Sequence, residues 1–240
     1  MLNRQFVASA RFSSRQHALG RLVCSQSRVA RVLRVAIVAL GIALGLAAAF
    51  HACESLQPRT IYRRDVLQGY LLARALADGT DPYLPVSVLA ERYLGALPNA
   101  VWSHPTPHPP TLGVAFLPFC LLDYPLATTV WFGLGIVWLV ASVYLLGQGS
   151  GVRLSAGQTL VVAAIALTWF PFPAELSYGQ VMLVLLLLLA GTRLALLSGR
   201  PVLGGALVGL AVLVKPVPWP LLLLFALRRD WRALVASVST

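Results

Sequence analysis

Charged side chains are scarce in this 240-residue chain, and two of them have types and surroundings that suit group-transfer chemistry. Asp65 follows the first long apolar run, where a carboxylate could take a proton from a hydroxyl group. Lys215 lies inside another apolar run with three prolines in the next five residues, where an ammonium group could stabilise negative charge in a recess. The alternative for Lys215 is a lysine that only marks a helix end by snorkelling.

Asp65 has a structural alternative of its own. The sequence Asp65-Val-Leu-Gln68 predicts a capping box, followed by a helix from Val66 to Asp78 that Gly79 ends. An apolar stripe along that helix predicts that it lies on the membrane surface. A carboxylate that accepts hydrogen bonds from helix N–H groups is a weaker base, so the capping role and the catalytic role compete.

Other polar groups could add hydrogen-bond donors to a bound ligand. Two adjacent arginines, Arg63 and Arg64, could bind a phosphate, although basic residues near lipid headgroups are common. Tyr178, Gly179 and Gln180 separate two apolar runs and could present backbone and amide donors, although a polar turn between two helices explains them equally well.

The remaining acid–base candidates favour structural interpretations. His104 and His108 are four residues apart in a proline-rich loop, so they share no helical face and are interpreted as loop histidines. Asp81 precedes a proline and predicts a turn, and Glu175 is a lone loop glutamate. We predict no metal site, since the three cysteines have no ligand spacing; they are Cys24, Cys53 and Cys120.

The elements that must position these groups are membrane helices. The chain is 58% hydrophobic and 11% charged, far from the composition of soluble domains, and its length allows five or six spans. Its net charge of +11 does not indicate nucleic-acid binding, because 18 of the 19 basic residues are arginines that mostly flank apolar runs. The sequence predicts an all-α integral membrane protein, a polytopic helical bundle.

Charge distribution predicts the orientation of this bundle. Residues 1–34 contain arginines and no acidic residue, which predicts a cytoplasmic N-terminal segment, followed by a transmembrane module over residues 35–240. The apolar run from Val35 to Phe50 is interpreted as the first span, with a cleaved signal peptide as the alternative. Residues 54–124 hold six acidic residues against five arginines, which predicts a long extracytoplasmic first loop carrying surface helices.

Apolar runs after this loop predict the further elements. Thr111 to Leu122 is too short to span and is interpreted as re-entrant. Pro125–Gly147, Leu154–Phe172 and Val181–Leu197 predict three spans, with an outer loop at Pro173–Gln180 between the last two. The arginines that follow each inward crossing then fall on the cytoplasmic side.

The run from Val202 to Leu227 cannot form one ordinary helix, because Lys215 and three prolines interrupt it. We predict two half-length helices that form a shallow hairpin with Lys215 at its tip, facing the outer side. A single kinked span is the alternative, and it would place Lys215 near the middle of the membrane, where a charge is costly.

Five short motifs follow one another along the chain: Arg64-Asp65, Asp81-Pro82-Tyr83, Pro109-Pro110, Gly179-Gln180-Val181 and Lys215-Pro216. Their order and spacing resemble glycosyltransferase family 87, the polyprenyl-phosphate-mannose-dependent mannosyltransferases with the GT-C fold. The sequence differs from the family pattern at His108, where an aromatic residue is more common, and at Met182, where Asn is more common. Family members usually continue well beyond the length of this chain, so a C-terminally truncated protein is expected.

The resemblance implies a chemistry for these positions. A sugar, mannose by analogy, would move with inversion from a polyprenyl-phosphate donor to a hydroxyl of a glycolipid or glycan acceptor, at the extracytoplasmic face of a bacterial plasma membrane. Asp65 would be the base. No cofactor, metal or nucleic acid is expected, and membrane lipids are expected as partners of the chain. The implied substrate-binding residues are Lys215, Gln180, Gly179, Tyr178, Arg64 and His108.

Two other classes of protein fit part of the sequence. A transporter or flippase for the same lipid would need inverted repeats or several ionisable residues within its spans, and the sequence has no repeat and only Lys215 in such a place. A non-catalytic membrane assembly subunit fits a chain of this length. The isolated chain could then be inactive.

Overall fold

The computed structural model describes residues 30–97 and 100–240, and every regular element in these two ranges is helical. Most of the predicted basic N-terminal segment lies outside the described residues. The elements are α1 (Ala30–Leu56), α2 (Val66–Ala77), α3 (Val86–Leu94), α4 (Pro110–Phe116), α5 (Tyr124–Gly149), α6 (Ala156–Ala166), α7 (Pro171–Tyr178), α8 (Met182–Leu197), α9 (Pro201–Val214), α10 (Pro220–Leu227) and α11 (Trp231–Ser239).

Two described helices are long and apolar enough to cross a bilayer. They are α1 with 27 residues and α5 with 26, each about 40 Å long at 1.5 Å per residue. Both confirm predicted spans. The bent pair α6 and α7 would make a third span, whereas α8 and α9 are shorter. The described residues therefore contain fewer full spans than the five or six that the length allowed.

The predicted span from Leu154 to Phe172 is not one straight helix. The helix α6 has only 11 residues, and the chain then bends by 85° into α7. Pro171 and Pro173 lie in the first turn of α7, where a proline costs nothing because that N–H has no helical partner. The stretch predicted as an outer loop, Pro173–Gln180, is consequently mostly helix.

The short helix α2 confirms the predicted bounds within one residue, and Gly79 ends it with a left-handed φ of +65°. Its position differs from the prediction. Nine of its 12 residues are buried, so protein encloses the helix instead of leaving one face on the membrane. The short apolar helix α4 covers it, and the Tyr70 hydroxyl donates to the Leu122 carbonyl at 2.9 Å.

The helices α9, α10 and α11 confirm the predicted hairpin. Helix α9 ends at Val214, and Phe225 of α10 returns to the cluster that holds Val208 of α9. Helix α11 then runs parallel to α9: an added Cβ at Gly205 would lie 2.1 Å from the Ala233 carbonyl oxygen, and one at Gly209 would lie 2.6 Å from that of Ser237. Lys215 is therefore at the tip.

The two ends of the bundle differ in charge, because most of the acidic residues lie at one end and the other end is rich in arginine. At one, the acidic end, the Tyr124 hydroxyl at the start of α5 donates to the Ile61 carbonyl just after α1, at 2.8 Å. At the other, the basic end, Arg193 Nη1 donates to Ser150 Oγ just after α5, at 3.4 Å. Seven of the eight acidic residues belong to the acidic end or to the loop between α1 and α5; the arginines of the basic end are Arg31, Arg34, Arg153, Arg193, Arg200, Arg228, Arg229 and Arg232.

Candidate functional site

Asp65 is the residue before α2, but its carboxylate does not cap the helix. The backbone of Asp65 is already helical, with φ −61° and ψ −26°, whereas a capping residue needs an extended conformation to fold its side chain over the first turn. Its Oδ2 instead accepts a 2.7 Å hydrogen bond from Gln180 Nε2, and its Oδ1 lies 3.5 Å from Gln68 Nε2. The capping-box prediction is wrong, and the carboxylate faces side-chain amides.

The turn after α7 brings Gln180 to Asp65. Gly179 has φ +65°, and the backbone N–H groups of Gly179 and Gln180 both donate to the Glu175 carbonyl. A Cβ at Gly179 would lie 3.1 Å from the Val66 Cβ, so this position needs glycine both for its backbone angle and for its close approach to α2. The Asp65 N–H also donates to the Tyr178 carbonyl at 2.7 Å.

Lys215 reaches the same place from the end of α9. Its backbone is extended, with φ −156° and ψ 128°, and its N–H donates to the Ala211 carbonyl at 3.0 Å. The Thr111 hydroxyl donates to the Leu213 carbonyl and so joins the start of α4 to the end of α9. One recess, of about 20 Å³, collects five predicted residues, and it has room for about one water molecule; they are Asp65, His108, Gly179, Gln180 and Lys215.

His108 contributes a neutral imidazole to this recess at pH 7. Burial lowers the pKa of His108, the neighbouring Lys215 ammonium lowers it further, and the Asp65 carboxylate opposes them. The Tyr83 hydroxyl donates to the His108 carbonyl at 3.2 Å, and the Tyr83 N–H donates to Asp81 Oδ1 at 2.9 Å. Asp81 therefore forms the predicted turn, which positions the His108 loop.

Comparison with known proteins identifies the family. Residues 107–240 match the sequence profile of glycosyltransferase family 87. This chain belongs to that family. The match covers α4 to α11, and the resemblance found in the short motifs is confirmed. No solved structure matches the chain.

Curated relatives are 27% to 29% identical to this family 87 chain over the aligned residues. An alpha-(1->3)-arabinofuranosyltransferase of Corynebacterium glutamicum is 27% identical over 67% of the chain and 40% of its own length. A polyprenol-phosphate-mannose-dependent phosphatidylinositol mannoside mannosyltransferase of Mycobacterium tuberculosis is 28% identical over 83% of the chain and 47% of its own length. A polyprenol-phosphate-mannose-dependent phosphatidylinositol pentamannoside mannosyltransferase of Mycolicibacterium smegmatis is 29% identical over 60% of the chain and 36% of its own length. The chain spans less than half the length of these relatives.

Two residues that the resemblance assigned to the substrate are not brought to the recess. Arg64 is only 1% exposed; its Nη2 donates to the Leu176 carbonyl at 2.5 Å, and its guanidinium lies 5.8 Å from the Phe132 ring centre. Burial lowers the pKa of Arg64 to about 10, and its Nε and Nη1 have no hydrogen-bond partner among the described residues. The carbonyl of Tyr178 accepts the hydrogen bond from the Asp65 N–H, but the residue is 54% exposed and lines a different pocket together with His51.

Glu175 and His104 are not among the residues that line the recess. Glu175 Oε2 accepts a 3.3 Å hydrogen bond from the N–H of Met182 at the start of α8, which is a structural role. His104 lies in a separate cleft described below. Within residues 30–97 and 100–240, no three His, Cys, Asp or Glu side chains come together as a metal site would require.

Sequence reasoning missed two contacts that shape the recess. It assigned Gln68 to a capping box, whereas the Gln68 amide faces the Asp65 carboxylate. It gave no role to Thr111, whose hydroxyl ties α4 to α9. The polar residue Thr111 directly after Pro110 was the only signal of the second contact, and that signal names no partner.

Proposed function

We propose that this chain forms the reaction centre of a glycosyltransferase that moves mannose from a polyprenyl-phosphate donor to a hydroxyl of a glycolipid or glycan, with inversion. The observation that carries the proposal is the shared recess: a carboxylate that does not cap its helix and an ammonium group at a helix break line one small cavity. The pair matches what a single displacement at a sugar phosphate requires.

Asp65 is the proposed base and Lys215 the proposed electrophilic partner. The acceptor hydroxyl attacks the anomeric carbon from the face opposite the phosphate, and Asp65 takes its proton. The bond between the sugar and the phosphate oxygen breaks, its electron pair goes to the phosphate, and Lys215 stabilises that charge. Because the recess holds about one water molecule, the donor sugar sits at its mouth, with the two charged groups reaching outward.

Mannose and the extracytoplasmic face are further parts of the proposal. The printed names of the mycobacterial relatives, which are polyprenol-phosphate-mannose-dependent, support a lipid-linked mannose donor, whereas the corynebacterial relative favours arabinofuranose. The arginines of the basic end support a cytoplasmic position for that end by the positive-inside rule. The recess, at the acidic end, then faces away from the cytoplasm.

Sugar transfer in membrane vesicles tests the two roles. With polyprenyl-phosphate mannose as donor, we expect Asp65→Asn to lower the rate by about 10²- to 10⁴-fold, as for loss of a general base. We expect Lys215→Gln to lower it by about 10²- to 10³-fold, with partial recovery in Lys215→Arg. Asp78→Asn, an exposed carboxylate on the same loop, is the matched control and should retain activity. Normal insertion of Asp65→Asn with an unchanged transfer rate would overturn the assignment of the base.

A further inference from the structure

A second, larger cleft lies at the acidic end, and we propose that it binds the acceptor as a saccharide that carries a phosphate group. The cleft measures about 460 Å³, within the range of roughly 300–1,000 Å³ for ligand pockets, whereas the recess at Asp65 holds one water. The proposal rests on the glycosyltransferase function proposed above. We call this the acceptor cleft; its side chains include Tyr62, Arg63, Trp102, Ser103 and His104.

The walls of the acceptor cleft are held in place by the fold. Tyr62 stacks on Tyr124 with ring centres 5.3 Å apart and an angle of 26° between the rings, and Tyr124 belongs to the long helix α5. On the opposite wall, the carbonyl of Trp102 accepts from the Ser87 N–H at 2.9 Å, and that of His104 from the Val86 N–H at 3.1 Å. Both walls are therefore preorganised for a ligand.

The chemistry of the lining favours an anionic sugar. Aromatic rings present flat apolar faces with polar edges, which suit the apolar faces and hydroxyl rim of a pyranose. Arg63 adds a planar guanidinium, the side chain that matches phosphate geometry with two parallel hydrogen bonds. No carboxylate is among the described residues that line this cleft, so this lining holds no negative side chain that would repel a phosphate.

The position of the cleft connects it to the reaction. Arg63 and Asp65 are the two sequence neighbours of Arg64, so their Cα atoms lie at most about 7 Å apart. Arg63 faces the acceptor cleft and Asp65 faces the recess. A second segment also connects the two sites, because His104 lines the cleft and His108 lines the recess. Their Cα atoms are four residues apart and so at most about 14 Å from each other. A sugar in the cleft can thus present its hydroxyl to Asp65.

Acceptor kinetics test this assignment, with polyprenyl-phosphate mannose held constant. The probes are phosphatidylinositol mannoside and octyl mannoside, which share the sugar but differ in the phosphate. We expect Trp102→Ala to raise the acceptor KM about tenfold for both probes, with recovery in Trp102→Phe. We expect Arg63→Gln to raise it about tenfold for phosphatidylinositol mannoside and less than threefold for octyl mannoside. The donor KM should stay constant in these variants.

Controls separate this proposal from the previous one. Trp231→Ala, an exposed tryptophan at the basic end, and Arg59→Gln, from the same loop as Arg63, should leave the acceptor KM unchanged. Loss of transfer in Asp65→Asn together with a normal acceptor KM in Trp102→Ala would overturn the acceptor cleft alone. If the wild-type protein transfers no mannose, the proposed function fails, and a binding measurement with phosphatidylinositol mannoside then tests the acceptor cleft by itself. Equal affinity of the wild type and Trp102→Ala, or no binding to either, would overturn the assignment of the cleft.

Discussion

At Asp65, one hydrogen bond from a distant side chain determines where the carboxylate points. Gln180 Nε2 donates to Oδ2 at 2.7 Å, and the backbone of Asp65 is tied to the Tyr178 carbonyl. A base must point its oxygen at the proton it removes, and a misplacement of about 1 Å can cost on the order of 10²-fold in rate. The amide of Gln180 therefore has a positioning role.

The residue-scale prediction is that Gln180→Leu lowers kcat by about 10- to 100-fold and changes the acceptor KM little. The reason is that leucine fills similar space but gives Asp65 no donor. Steady-state transfer kinetics measure both parameters. Gln148→Leu, a glutamine near the basic end of α5, is the matched control. A larger effect on KM than on kcat would contradict the positioning role.

His108 predicts a pH dependence of stability. Its pKa is below the ordinary value, chiefly because of burial and then because of Lys215, so the unfolded chain binds more protons than the folded one at mildly acidic pH. The stability from a neutral His108 is complete above pH 6.5 and is lost as pH falls through the folded pKa. Thermal unfolding in detergent at pH 7.5 and 5.5 should show a larger decrease of Tm for wild type than for His108→Gln. Equal decreases would contradict it.

Among the elements, α7 and its terminal turn matter most for the site. The 85° bend after α6 lays α7 across the end of the bundle, and the left-handed Gly179 then turns the chain so that Gln180 meets Asp65. Two short helices position this residue better than one straight span, which would have left Gln180 in a loop between spans. The bend therefore helps to form the recess, because it brings Gln180 to Asp65.

Gly179→Ala should impair catalysis as well as stability. A left-handed alanine costs about 1–2 kcal/mol, and its Cβ would press on Val66 beside Asp65. Gly79→Ala is the matched control, because Gly79 has the same φ of +65° but open space around an added Cβ. We expect both variants to lose stability in thermal unfolding, Gly179→Ala more because of its contact with Val66, and only Gly179→Ala to lose transfer activity. Equal activity in the two would show that the turn does not position the site.

The contact between α9 and α11 depends on two small residues. Gly205 and Gly209 are four residues apart, the spacing that lets membrane helices approach closely. Gly205→Ala would place a methyl group 2.1 Å from a backbone oxygen of α11, which we expect to destabilise the protein by about 1–3 kcal/mol. Gly133→Ala in α5 meets open space and should be neutral or stabilising. Detergent unfolding curves compare the two, and equal midpoints would contradict close helix packing.

For the whole molecule, the segregation of charge between its two ends predicts the orientation in the membrane. Cys53 is exposed near the acidic end, and Arg228 is exposed at the basic end. In a chain with Cys24→Ser and Cys120→Ser, we expect a membrane-impermeant maleimide to label Cys53 on intact cells. Adding Cys53→Ser and Arg228→Cys should abolish that labelling until the membrane is opened. The reverse pattern would place the recess in the cytoplasm and contradict the proposed lipid-linked donor site.

The composition of the chain predicted the helical membrane class, and the order of its short motifs indicated the family. Proline and glycine signals, which act over a few residues, predicted the bounds of α2 and the hairpin at Lys215, and the length of the apolar run predicted α5. The tertiary structure was needed to show that Asp65 faces Gln180, a partner 115 residues away. It was also needed to show that the Arg64 side chain is buried, whereas Lys215 lines the recess with Asp65. Local patterns name the residues that could act. They do not determine which distant helix ends meet, because that depends on how whole helices pack.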